Sequence, residues 1–117
     1  MLLWNWYYRR IKLITPTQAR KNCAKIKQKD IEKILDEISK VIDNDLSKEI
    51  VWLDAGRIRT FILRTIVETN CYNLIHVYLD NKEDIKDTLV SIYSNAGWCV
   101  EYKSVKNPII SIRIKKD

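Results

Sequence analysis

Apolar residues recur along this chain with two different periods, and the change from one to the other marks its elements. From Thr15 to about Asn44 there is no glycine, and no proline after Pro16. Over that stretch Ala24, Ile31, Leu35, Ile38 and Ile42 share one helical face, widened by Cys23, Ile34 and Val41. "TPTQ" supplies the start: Thr15 as N-cap, Pro16 at the first helical position, Gln18 closing a capping box. The pattern predicts one helix of about 28 residues, roughly 42 Å long. Its apolar stripe slips at Lys29–Asp30, which is a place for a break.

Further on, "EIVWLD" reads as a short strand and "AGRIRTFILRTIVETN" as a helix, with Ile58, Phe61, Ile62, Thr65 and Ile66 at helical spacing. "NLIHVYL" is a strand by composition. "NKEDIKDTLVSIYSNAG" is a helix with an acidic first turn, an apolar face of Ile85, Leu89, Ile92 and Tyr93, and a stop at Gly97. "WCVEYKS" and "IISIRIK" alternate as two strands, with Trp98, Val100 and Tyr102 on one face of the first and Ile110, Ile112 and Ile114 on one face of the second. "VKNP" is the turn between them. The opening "MLLWNWYYRRIKLI" also alternates and predicts a strand over residues 2–8, with Trp4, Trp6 and Tyr8 on one side.

These elements predict one domain over residues 1–117 and an α+β class, with α/β as the alternative. The expected architecture is a two-layer sandwich: one long N-terminal helix, two further helices, and a four- or five-stranded sheet ending in a C-terminal β-hairpin. Hydrophobic residues make up 46% of the chain and charged residues 31%, the balance of a globular protein. The opening has its aromatics before Arg9 and Arg10, the reverse of a secretory signal, and no apolar run approaches a membrane span. Three widely spaced cysteines, Cys23, Cys71 and Cys99, form neither a disulfide framework nor a zinc motif. A cytoplasmic protein with free thiols is the expectation, with no metal and no cofactor.

No constellation forms a catalytic set. His76, the only histidine, has Asp80 four residues on but no nucleophile at recognisable spacing. Asp80, Glu83, Asp84 and Asp87 are explained by a helix start. "WLDAGRIRT" offers an anion-binding candidate: Asp54 capping a helix whose first turn brings Gly56, Arg57 and Arg59 to a phosphate. The long helix is harder to explain. Arg20, Lys21, Lys25, Lys27, Lys29 and Lys33 crowd its first half, and Asp36, Glu37, Asp43 and Asp45 its second, against the macrodipole at both ends. Lys21, Lys25 and Lys29 lie on one stripe, with Arg20 and Lys27 flanking it. Together with Trp4, Trp6, Tyr8, Arg9 and Arg10, the aromatic and arginine types that anchor interfaces, they are the candidate partner-binding residues.

The amphipathic "ARKNCAKIKQKDIEKILDEISKVI" and the ending "LVSIYSNAGWCVEYKSVKNPIISIRI" resemble small accessory proteins of tailed bacteriophages. The resemblance implies a non-enzymatic role in an infected cell, in which the protein occupies a host or viral macromolecular surface, as a host-takeover factor or defence inhibitor does. The net charge of +6 favours a protein partner with an acidic face, or nucleic acid as the alternative. A virion component, a homo-oligomer, and an enzyme acting on a nucleotide or phosphodiester through Arg57, Arg59 and His76 are the remaining readings.

Overall fold

The computed structural model describes residues 13–103 and 106–115. The strand expected at residues 2–8, with Trp4, Trp6, Tyr8, Arg9 and Arg10, lies outside them.

Helix α1 runs Pro16–Lys48 without interruption. Thr15 Oγ1 accepts from the Gln18 N–H and Gln18 Oε1 accepts from the Thr15 N–H, each at 3.1 Å, so the capping box is formed as its sequence implies. The helix does not break at Lys29–Asp30. Residues 13–29 are all exposed, and burial begins at Asp30 and Ile31. Beyond that point Ile34, Ile38, Ile42 and Leu46 form a fully packed ridge at four-residue spacing. The slip in the apolar stripe thus marks where the helix meets the body.

After Glu49 the chain makes a short helix, α2 (Ile50–Asp54), where a strand was expected. Only Leu53 of this turn is buried, whereas Ile50, Val51 and Trp52 are exposed. The turn closes as a Schellman motif: Gly56 at φ 85° donates to Leu53 O at 3.0 Å and Arg57 N–H donates to Trp52 O at 3.3 Å. The segment expected to be a single helix divides into strand β1 (Arg59–Ile62) and helix α3 (Leu63–Asn70). Phe61 turns into the core from the strand, and Leu63, Ile66 and Val67 from the helix.

"NLIHVYL" is also helical rather than extended. A 3-10 turn at Tyr72–Leu74 leads into α4 (Ile75–Asn95), which absorbs the helix predicted over "NKEDIKDTLVSIYSNAG". The two meet at a kink: Asn81 has φ −130° and ψ 19°. Its side-chain amide donates to Val77 O at 2.8 Å, the carbonyl an unbroken helix would pair with Asn81's own N–H. Leu74, Tyr78, Ile85, Leu89 and Tyr93 carry one buried face across the kink. Gly97 at φ 102° ends α4 and turns the chain into the hairpin β2 (Trp98–Lys103) and β3 (Ile109–Ile114).

Among the described residues the sheet has three antiparallel strands in the order β1-β3-β2, not four or five. The architecture is the expected α+β one. The register sets Trp98 opposite Ile114, Val100 opposite Ile112 and Tyr102 opposite Ile110, so both predicted strand faces coincide. Phe61 extends that face by pairing with Ile110. This side of the sheet joins the core with α1, α3 and α4.

Polar contacts fix the layers. Arg59, on the inner side of β1, makes a bidentate pair with Asp45 of α1: Nε to Oδ1 at 2.8 Å and Nη2 to Oδ2 at 2.7 Å. Tyr93 donates to Asp43 Oδ1 at 2.6 Å, tying α4 to α1; burial, and then that carboxylate, push its phenol well above its ordinary value. Lys86, 3% exposed, bonds Glu83 at 2.9 Å, approaches Asp87 at 3.2 Å and lies 4.2 Å from the Tyr102 ring centre. Its ammonium is held above its usual pKa by the Glu83 hydrogen bond.

Candidate functional site

The projecting half of α1 has the composition of a contact surface. Residues 13–29 contain Arg20, Lys21, Lys25, Lys27 and Lys29 and no acidic residue. Extended to residue 1, the segment holds eight Lys/Arg and no Asp/Glu, whereas residues 30–117 hold 13 against 15. The positive charge of the whole chain therefore resides in its first 29 residues.

The fold accounts for the acidic half of α1 and not for the basic half. Asp36 and Glu37 pair with Lys40, Asp43 accepts from Tyr93, and Asp45 holds Arg59. Because the helix runs on to Lys48, its last turn carries a favourable cation, which corrects the expectation that its C-terminal end opposes the dipole. The first turn has no acidic residue. Among the described residues, no ion pair engages Arg20, Lys21, Lys25, Lys27 or Lys29.

At the helical rotation of about 100° per residue, Lys21, Lys25 and Lys29 lie opposite the Ile34 ridge, pointing away from the body. Gln18 and Asn22 fall within the same arc, which the sequence reading passed over. Arg20 and Lys27 do not flank the stripe as expected. They lie on the Ile34 side, and Lys27 lines a recess with Cys23, Ile26, Asp30, Val77 and Asp80. The helix is thus basic around its circumference, and its exposed apolar groups, Cys23 and Ile26, face the body.

The other candidates take different places. Gly56 is a helix C-cap rather than part of a helix start, because α2 ends at Asp54 and a strand follows. Arg57 lies over the Trp52 ring, 4.9 Å from its centre, and Arg59 turns inward to Asp45. The N-terminal amides that an anion would use are absent from this turn. His76 and Asp80 sit one turn apart on α4, with His76 exposed. Glu83 and Asp87 engage Lys86. Among the described residues no three His, Cys, Asp or Glu side chains are grouped to hold a metal, and no helix is long and apolar enough to cross a membrane.

A patch missed in the sequence lies on α2. Ile50, Val51, Trp52 and Ile58 are large, apolar and exposed, with Val51 at 80%. A strand over "EIVWLD" would bury alternate side chains, whereas the short helix buries Leu53 alone.

Comparison with protein-family models, with curated proteins and with solved structures gives no match. The likeness to phage accessory proteins rests on the quoted segments alone.

Proposed function

We propose that this chain is a non-catalytic binding protein that occupies an anionic macromolecular surface with the projecting basic half of α1. One observation carries the reading: five cations stand on an exposed, capped helix without an ion-pair partner among the described residues, while Asp43 and Asp45 of the same helix are used by the fold. A basic N-terminal half weakens the helix locally, by about 0.3–1 kcal/mol near the terminus. Contact with an anionic partner offsets that cost. The resemblance supplies a setting, in which a phage accessory protein covers a host or viral surface during infection.

The test is retention on a sulfated polyanion resin by two variants of equal net charge. One reverses Lys21, Lys25 and Lys29 to Glu; the other reverses Lys48, Lys103 and Lys115. The arm variant is expected to elute far earlier than its charge-matched control. Equal retention would show that only overall charge matters and would remove the assignment.

A further inference from the structure

We infer, on the footing that the basic half of α1 is the contact element, that the surface it binds is B-form DNA, with residues 18–29 lying along the major groove.

The outward face decides between partner classes. A helix that docks on a protein presents apolar anchors at i, i+3, i+4 and i+7. Here the outward arc of the helix is Gln18, Lys21, Asn22, Lys25 and Lys29, with no apolar residue at a helical position in it; the exposed Leu13 and Ile14 precede the cap and border only its first turn, beside Gln18 and Asn22. Lysine is depleted at protein–protein interfaces, whereas phosphate neutralisation uses it directly. Asn pairs bidentately with adenine edges, and Asn22 stands among the lysines, whereas the Gln18 side chain is held in the capping box.

Shape narrows the choice further. The major groove of B-DNA, about 12 Å wide, admits an α-helix of about 10–12 Å diameter. The major groove of A-form RNA is too narrow and deep for side chains to read. Residues 13–29 contain no aromatic side chain, so this segment lacks the stacking platform on which single strands rest. Residues 16–29 rise about 21 Å, a little over half a turn of duplex. All of them are exposed, so nothing described blocks that face. The capping box fixes the helix before binding. Residues 30–117 carry more acid than base, which keeps the body off the phosphates and leaves the arm as the entry point.

The experiment is a salt titration of the full chain against a labelled 24-base-pair DNA duplex, followed by anisotropy. The matching RNA duplex and poly-L-glutamate serve as the other two probes. Neutralising three phosphates, by Lys21, Lys25 and Lys29, gives a slope of log K against log salt of about −2.7, or roughly 40-fold weaker binding at 200 mM than at 50 mM. Lys21, Lys25 and Lys29 changed together to Gln should remove most of this loss, with affinity lowered at every salt concentration. Lys48→Gln should leave the slope unchanged. Arm-dependent binding of poly-L-glutamate without DNA would overturn this inference and leave the proposed function standing. RNA duplex bound as tightly as DNA would overturn the groove assignment. Arm-dependent binding to none of the three would overturn both.

Discussion

Separating Arg59 from Asp45 should cost more than any exposed ion pair of this chain. The two side chains retain 34% and 26% of their exposure and meet through two bonds of 2.8 and 2.7 Å across the interface of sheet and helix. Fully exposed pairs contribute about 0.2–1 kcal/mol, and removing one partner of a fully buried pair costs about 3–5 kcal/mol. At an effective dielectric near 20, two charges about 4 Å apart attract by about 4 kcal/mol. Partial desolvation and side-chain ordering offset more than half of that, and partial exposure screens the remainder. The coupling should therefore be about 1.5 kcal/mol. The perturbations are Arg59→Met, which keeps the apolar stem against the sheet, Asp45→Asn, and the double variant. Urea unfolding of the four proteins closes the cycle. Each single change should destabilise, and the double change should cost clearly less than their sum. A coupling below about 0.5 kcal/mol would refute the argument and class the contact with surface pairs. Because this guanidinium is already committed to Asp45, Arg59→Met should also leave polyanion retention unchanged, whereas an anion site at Arg59 would lose it.

Tyr78→Phe should raise stability by about 1 kcal/mol in urea, since its buried hydroxyl has no hydrogen-bond partner among the described residues; a loss of stability would contradict this. Burial pushes the Tyr78 phenol from 10.0 up to about 12. Between those values the unfolded chain has released a proton that the folded one keeps, so stability should fall as pH rises from 10 to 12, and fall less steeply in Tyr78→Phe; identical profiles would refute this. Gly97→Ala should cost about 1–2 kcal/mol in a thermal melt from backbone strain alone, because φ is 102° and an added Cβ would meet nothing within 4 Å. A cost below about 0.3 kcal/mol would show that the turn relaxes freely.

What could be read from the sequence depended on how local the signal was. The capping box, the Gly97 stop and the hairpin faces are set by neighbouring residues, and each formed as expected; of the face expected on α1, Ile34, Ile38 and Ile42 are buried, whereas Cys23 and Ala24 are exposed because the helix has not yet met the body there. "NLIHVYL" misled because its β-branched and aromatic content suits a strand, and Asp80-Asn81-Lys82 looks like a turn. The buried series Leu74, Tyr78, Ile85, Leu89 and Tyr93 holds helical spacing only when followed across Asn81. The passage from β1 to α3 at Ile62–Leu63 has no glycine, proline or side-chain cap, so tertiary packing alone sets it. The charge of α1 was legible as an anomaly. Its partition was not, because the partners of Asp43 and Asp45 are Tyr93 and Arg59, 50 and 14 residues away.

The basic half of α1 is proposed as a contact surface and not as scaffold. The most direct test is a polyanion titration of the Lys21, Lys25 and Lys29 to Glu variant, with a thermal melt of the same sample as its control. Like charges persist at four-residue spacing in this variant, so the gain comes from the dipole alone: acidic residues near a helix start are favoured by about 0.3–1 kcal/mol. The melting temperature should therefore hold or rise slightly, while affinity falls at least about tenfold through like-charge repulsion. Unchanged affinity in a folded variant would contradict the account and return these lysines to ordinary solvated surface.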